Sequence, residues 1–179
     1  MRTVDALPLK DLQAAYCLAA DWHDLGKADE RFQAMLRRTD CTDAWLLTGL
    51  DTALLAKSDG LPQTPQLRKQ ARDRAGLPEG FRHEMLSVQI VEQSKLVEEA
   101  GEHRDLILHL IAAHHGYARP FAPVVIDEKP PEVTVVGITL TEDQRKDCPP
   151  HRIDSGIAER FWDLTRRYGW WGLAFLEAV

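Results

Sequence analysis

Apolar residues recur at intervals of three and four near the start of the chain, and this spacing predicts an amphipathic helix. The shared face holds Leu9, Leu12, Tyr16 and Ala19, and the stripe ends at His23. Gly26 follows and is expected to loosen or end this helix. A second helix is predicted over residues 28–36, since acidic residues occupy its first turn as the helix dipole favours.

The middle of the chain contains further helical patterns. A helix is predicted over residues 43–57, followed by a proline- and glycine-punctuated loop over residues 60–80 that contains a short charged segment. Residues 81–99 are predicted to form a long helix with His83, Leu86 and Ile90 on its inward side. Residues 102–114 are predicted to form another, whose apolar stripe also ends in a histidine, His114.

Residues 116–150 do not continue this helical pattern. Four prolines between residues 120 and 131 forbid a continuous helix, and residues 133–140 are rich in β-prone side chains. We expect a proline-rich loop or a short β-hairpin on the rim of the fold, followed by a last helix over residues 153–179. The predicted class is mainly α, a helical bundle in one domain over residues 1–179. The apolar end of the last helix suggests a piece of a longer protein.

Composition narrows the class of protein. The chain has 179 residues, a net charge of −6 and 44% hydrophobic residues, as in ordinary globular domains. It lacks an apolar run of ~20 residues and a signal-peptide core, so we expect a cytoplasmic location and no membrane partner. Three scattered cysteines argue against a disulfide framework or a thiolate zinc site.

The charge also bears on nucleic acids. A protein that binds nucleic acid on its own usually has a basic surplus, because phosphate neutralisation supplies most of the affinity. The basic clusters at residues 37–38, 68–74 and 166–167 are expected to be solvated helix faces. If the substrate is a polynucleotide, another component delivers it.

The candidate chemistry lies in the histidines. A single histidine at the end of an apolar stripe is usually a hydrogen-bonded core residue. Here three stripes carry one, and the first is followed directly by an aspartate. Imidazole suits Mn, Fe, Co, Ni or Zn, and a carboxylate can bridge two cations. Two such metals activate water and stabilise both oxygens of a phosphodiester displacement. The proposed ligand set is His23, Asp24, His83, His114 and His115.

Lys27 is the remaining candidate. It follows Asp24 by three residues and His23 by four, which is the spacing of one helical face. It could stabilise negative charge that develops on the substrate, or it could be an ordinary surface lysine. His103, His109 and His151 are left outside the site.

Three segments of this sequence resemble one known family. They are His23-Asp24-Leu25-Gly26-Lys27-Ala28 with Phe32-Gln33, then Arg82-His83-Glu84-Met85-Leu86-Ser87, then Ala112-Ala113-His114-His115-Gly116. Together they resemble the HD phosphohydrolase superfamily, and in particular the CRISPR-associated HD nuclease of type I systems. The similarity runs from about residue 14 to 118, and residues 160–174 resemble the members that are fused to a helicase.

The resemblance implies a metal-dependent nuclease that cuts single-stranded DNA, fed by a helicase in the same chain or a partner, after a guide-RNA surveillance complex has opened the duplex. By position, His23 and Asp24 would be metal ligands, with Asp24 bridging. His83, His114 and His115 would complete the second metal, and Lys27 would assist catalysis. The implied cofactors are one or two divalent ions, Mn, Ni, Co or Fe, or Mg.

Two departures keep other functions open. The family pattern opens with a histidine before the doublet, and none precedes His23. It also closes with an aspartate, and neither Asp154 nor Asp163 has the expected neighbours, so this residue could lie beyond Val179. The chain could instead be an HD phosphohydrolase for a nucleotide or cyclic dinucleotide. A non-catalytic interaction module with a degenerate metal site is the third alternative.

Overall fold

The computed structural model describes residues 10–39, 54–57 and 64–178. Its α-helices are α1 (Gln13–Trp22), α2 (Glu30–Arg37), α3 (Pro65–Arg74), α4 (His83–Glu92), α5 (Leu96–Glu99), α6 (Arg104–Ala113), α7 (Glu142–Asp147) and α8 (Ile157–Ala178). Short 3₁₀ turns span Leu25–Ala28 and Gly101–His103, and strands β1 (Val133–Val135) and β2 (Ile138–Leu140) form an antiparallel hairpin. The mainly α-helical class is confirmed, and the hairpin is formed where the β-prone residues lie.

Helix α4 lies at the centre of the fold. It packs against the first 3₁₀ turn, α6 and β2, while α1 packs against α6. Eight of its ten residues are buried, namely His83, Glu84, Met85, Leu86, Ser87, Val88, Ile90 and Val91. The sequence had predicted burial along one side only. That prediction was wrong because neighbouring elements cover this central helix on nearly all sides.

Helix α8 closes the other side of the bundle. Its apolar residues Phe161, Leu164, Leu173 and Leu176 pack with Leu12 and Leu106 in a second buried cluster. The helix is interrupted at Gly169, whose φ of 73° and ψ of 165° are non-helical. Glycine adopts this backbone conformation at little cost. The last predicted helix therefore exists, with a break inside it.

The segment over residues 116–150 does more than cover the rim. Val133 and Leu140, which are partners in the hairpin register, belong to the main core together with residues of α1, α4 and α6. The short helix α7 follows, and its capping box of Thr141 and Gln144 was overlooked in the sequence. The prediction that this segment lies only on the rim is wrong, because it supplies core side chains.

A buried ion network joins the same segment to α2. Asp29 is fully buried and accepts hydrogen bonds from the Arg31 backbone amide and guanidinium at 2.9 to 3.2 Å. Arg145 of α7 lies 3.0 Å from the same carboxylate, and Arg31 also binds Asp127 with both terminal nitrogens. The network fixes the position of residues 127–145 beside the start of α2.

Two of the predicted segments differ from the structure, and a third is largely untested. Helix α3 occupies the region expected to be a loop; Thr64 caps it and Pro65 stands at its first turn, which is the helix signal that was missed. The helix predicted over residues 81–99 is split between α4 and α5. The helix predicted over residues 43–57 lies largely outside the described residues.

None of the helices in the described ranges has both the length and the apolar composition that crossing a bilayer demands.

Candidate metal centre

The ends of three helices bring the predicted ligands together. His23 follows the last residue of α1, and Asp24 precedes the first 3₁₀ turn. His83 is the first residue of α4, and His114 follows the last residue of α6. Since α4 packs against both the 3₁₀ turn and α6, helix packing places these side chains at one end of the bundle.

The four histidine rings form one cluster. The His114 ring centroid lies 5.0 Å from that of His23, 5.5 Å from that of His83 and 4.2 Å from that of His115. The His83 and His115 centroids are 5.1 Å apart. The four histidines of the predicted set therefore lie close together in space, although they come from three separate segments of the sequence.

The carboxylate of Asp24 lies between two of these histidines. Its Oδ1 is 3.2 Å from His83 Nε2, and its Oδ2 is 3.2 Å from His23 Nε2. Oδ2 also accepts a hydrogen bond of 2.7 Å from Lys27 Nζ. Each oxygen thus faces a different half of the cluster, which is the arrangement that a bridging carboxylate requires.

Backbone carbonyls fix the orientation of two imidazoles. His23 Nδ1 donates to Ala20 O at 2.6 Å, and His114 Nδ1 donates to Ile111 O at 2.8 Å. Because a carbonyl can only accept, the proton is on Nδ1 in both rings when they are neutral. Their Nε2 atoms are then left with a lone pair for a metal.

Donor atoms in the cluster fit a cation. Two groups have ligand atoms within 4.8 Å of one another: His83, His114 and His115 form one, and His23, Asp24 and His114 form the other. Asp24 Oδ1, His83 Nε2 and His114 Nε2 are buried, and none has a hydrogen-bond partner within the described part of the chain. Buried polar atoms without partners are rare in native proteins, and ion binding is one recognised reason for them.

The electrostatics favour metal-binding protonation states at three members of the cluster, His83, His114 and Asp24. Burial, reinforced by the charge of Lys27, lowers the pKa of His83 from 6.5 to about 3, and burial also lowers the pKa of His114. Burial alone would raise the pKa of Asp24, but the Lys27 hydrogen bond and the nearby positive charges outweigh it, so this pKa is lowered. Near neutral pH the two imidazoles are therefore neutral and the carboxylate is ionised, as metal ligands must be.

The three sequence motifs contact one another around the cluster. Gly26 N donates to Ser87 Oγ at 2.8 Å, so the first motif is bound to α4. The Arg82 guanidinium lies 3.9 Å from the centroid of the Tyr117 ring, which follows the histidine pair. The Phe32 ring packs against His83 with centroids 5.4 Å apart. These contacts of Gly26, Phe32 and Arg82 thus hold the three segments together beside the histidine cluster.

Comparison with known families agrees with these motifs. The model of the "Cas3, HD domain" family matches residues 2–155. The chain belongs to the Cas3 HD-domain family. This family consists of CRISPR-associated, metal-dependent nucleases, so the resemblance seen in the sequence is confirmed. Comparisons with curated proteins and with solved structures returned no match.

The closing aspartate of the Cas3 HD pattern has no counterpart at the two positions considered. Asp154 is exposed and pairs with Arg152, and Asp163 is exposed and pairs with Arg166. Neither carboxylate belongs to the groups around His114.

The histidines left outside the site lie elsewhere. His109 of α6 is 1% exposed and binds Oε1 of Glu177 in α8 at 2.6 Å. His103 lies 3.7 Å from Glu102, and His151 lines a cleft of about 240 Å³ between α4 and the segment over residues 116–150.

One buried residue next to the cluster was missed. Glu84 is fully buried, and its Oε2 lies 3.5 Å from His83 Nδ1. Burial raises the pKa of this carboxyl. The available signal for Glu84 was its position next to His83 in the second motif, although no role had been predicted for it from the sequence.

Proposed function

We propose that this chain is the nuclease domain of a CRISPR interference effector, which hydrolyses phosphodiester bonds of single-stranded DNA with divalent metal ions. The observation that carries the proposal is the Asp24 carboxylate, whose two oxygens face His83 and His23 at 3.2 Å each. We further propose that residues 1–179 belong to one domain.

The proposed metal ligands divide around this carboxylate. His23 would hold one ion and His83, His114 and His115 the other, with Asp24 shared. His114 offers a single free nitrogen because Nδ1 binds Ile111 O, so it serves one ion at a time. Mn, Ni, Co or Fe suit this nitrogen-rich set better than Mg, which prefers oxygen ligands. A bound divalent ion would polarise the phosphodiester and lower the pKa of a water nucleophile.

The protein's own groups have separate tasks. The neutral imidazoles keep their lone pairs available near neutral pH. Lys27 Nζ orients Asp24 through Oδ2 and places a positive charge beside the reacting centre, where it can stabilise negative charge on the substrate. Its side chain is only 17% exposed, so water screens this charge weakly.

The charge of the chain supports delivery of the strand by other components. With a net charge of −6, the chain itself offers little general attraction to DNA. We propose that a helicase, in the same polypeptide or a partner, feeds the strand to the site after a guide-RNA complex has exposed it. A cytoplasmic location is part of the same proposal.

The test is metal-dependent cleavage of a labelled single-stranded oligonucleotide. The intact protein, with Mn²⁺ or Ni²⁺, should cut this substrate, and His23→Ala or Asp24→Ala should abolish cleavage while circular dichroism shows a folded protein. A mononucleotide and a cyclic dinucleotide are supplied in parallel. Preferential hydrolysis of either would favour the nucleotide phosphohydrolase. A wild-type protein without metal uptake would favour the non-catalytic module.

A further inference from the structure

Glu84 is a buried charged group to which the proposed chemistry gives no task. The residue has 0% exposure, and neither carboxylate oxygen has a hydrogen-bond partner among residues 10–39, 54–57 and 64–178. Burying a carboxylate without partners is costly, and a protein gains nothing in stability from it. Such a group at the edge of a candidate metal site therefore calls for a functional explanation.

The position of His83 in its helix provides one. His23 and His114 each donate Nδ1–H to the carbonyl three residues earlier, inside the helix that precedes them. His83 is the first residue of α4, so no earlier turn of this helix offers it a carbonyl. Its ring needs another acceptor to hold the same tautomer.

Glu84 stands where that acceptor is needed. Its Oε2 is 3.5 Å from His83 Nδ1, while His83 Nε2, on the opposite edge of the ring, is 3.2 Å from Asp24 Oδ1. Glu84 belongs to neither of the two ligand groups among the described residues, so the geometry gives it contact with His83 but no place as a ligand. A side-chain movement of about 0.5 Å would bring the pair within hydrogen-bond distance.

We propose that Glu84 is a positioning residue, which accepts the Nδ1–H of His83 and so keeps the Nε2 lone pair directed at the metal site. A carboxylate in this place also makes the imidazole a stronger ligand. The inference rests on the proposed function only in taking His83 to be a ligand.

The test uses the whole chain with Glu84→Ala and Glu84→Gln, and with Glu159→Gln, an exposed glutamate of α8, as the matched control. Nitrogen-15 NMR of the metal-free chain reports which ring nitrogen of His83 carries the proton. Calorimetric titration with Co²⁺ reports metal affinity. Glu84→Gln keeps the shape of the side chain, so it remains informative if Glu84→Ala does not fold.

We expect the proton on Nδ1 in the wild type and a larger Nε2–H population in Glu84→Ala. Co²⁺ affinity should fall about 10- to 100-fold in Glu84→Ala, and by a smaller factor in Glu84→Gln, whose amide oxygen still accepts but carries no charge. The melting temperature of metal-free Glu84→Gln should hold or rise, whereas a merely structural role predicts that it falls. Glu159→Gln should match the wild type in each measurement.

Two results would overturn the inference: a proton on Nε2 of His83 in the wild type, or wild-type Co²⁺ affinity in both Glu84 variants. These results differ from a failure of the proposed nuclease. In that case the wild type does not cleave DNA, while the tautomer of His83 in the metal-free chain still decides the role of Glu84.

Discussion

The backbone amide of Gly26 donates a hydrogen bond of 2.8 Å to Ser87 Oγ, across 61 residues of sequence. The same hydroxyl lies 2.7 Å from His23 O and 3.0 Å from His83 O, and its single proton goes to one of them at a time. The serine thus ties the backbone around the first ligand pair to the first turn of α4. We expect the geometry of the candidate metal centre to depend on this contact.

Gly26→Ala should displace α4 from the 3₁₀ turn. A Cβ at this position would lie 2.0 Å from His83 O and 2.8 Å from Ser87 N, and both are backbone atoms. Overpacking of this kind costs about 1–3 kcal/mol or more, and here it also moves His83. We expect a lower free energy of unfolding in urea and at least tenfold weaker Co²⁺ binding.

The control for this prediction is Gly137→Ala in the hairpin turn. Gly137 has φ +77°, and a Cβ there meets no atom of the described residues within 4 Å. It should lose stability through backbone strain but keep its Co²⁺ affinity. Unchanged metal binding in Gly26→Ala would contradict the assembly role given to this contact.

Lys27→Met should separate metal binding from catalysis. Lys27 Nζ binds Asp24 Oδ2 at 2.7 Å, and its positive charge opposes a cation at the same carboxylate. Removing that charge should leave Co²⁺ affinity unchanged or tighter. Cleavage of single-stranded DNA should slow about 100-fold, because one group that stabilises developing negative charge is lost. The control is Lys146→Met on α7. Cleavage of DNA by Lys27→Met at the wild-type rate would show that Lys27 takes no part in the reaction.

Asp29→Asn should destabilise the fold strongly. The Asp29 carboxylate is fully buried between Arg31 and Arg145, and the amide would leave these guanidinium groups with too little negative charge. Breaking a buried ion pair costs about 3–5 kcal/mol. The matched control is Asp154→Asn, which breaks an exposed pair with Arg152 and should not change the urea midpoint measurably. Equal effects of the two substitutions on the urea midpoint would show that the buried ion network does not stabilise the fold.

Acidification should destabilise the metal-free chain through His83. Its pKa is about 3 in the folded state against 6.5 in a model peptide, so between these values the unfolded chain binds a proton that the folded chain does not. Stability from this residue is complete above pH 6.5 and declines as pH falls towards 3, by at most about 1.4 kcal/mol per pH unit. Glu84, with a raised pKa, acts in the opposite direction.

The readout for this effect is the difference between the wild type and His83→Gln. Urea unfolding of both proteins between pH 7 and pH 5 should show a shallower decline in His83→Gln. Parallel curves would mean that folding does not suppress protonation of His83.

The sequence allowed prediction of much of the helical order and of the set of residues that converge. Periodicity identified α1 and α6, whose apolar stripes pack against each other, and the histidines at the helix ends marked the site. Helix α2 was identified from the acidic residues at its start. Helix α4 was misread as one-sided because periodicity does not show how many neighbours surround a helix. Helix α3 was missed because its residues are charged, although Thr64 and Pro65 signalled its start.

Other features depend on contacts between distant parts of the chain. The bond from Gly26 to Ser87 and the network of Asp29, Arg31, Asp127 and Arg145 join segments whose proximity only the fold establishes. The orphaned carboxylate of Glu84 belongs to the same class, because burial without a partner is a property of packing.

The most direct measurement is anomalous scattering at the manganese edge from crystals of the chain grown with Mn²⁺. We expect a peak within bonding distance of Asp24 and of Nε2 of His83 or His114, and loss of this peak in Asp24→Ala crystals. A well-ordered wild-type structure with no anomalous density beside the Asp24 carboxylate would show that this carboxylate and the histidines around it do not bind the metal.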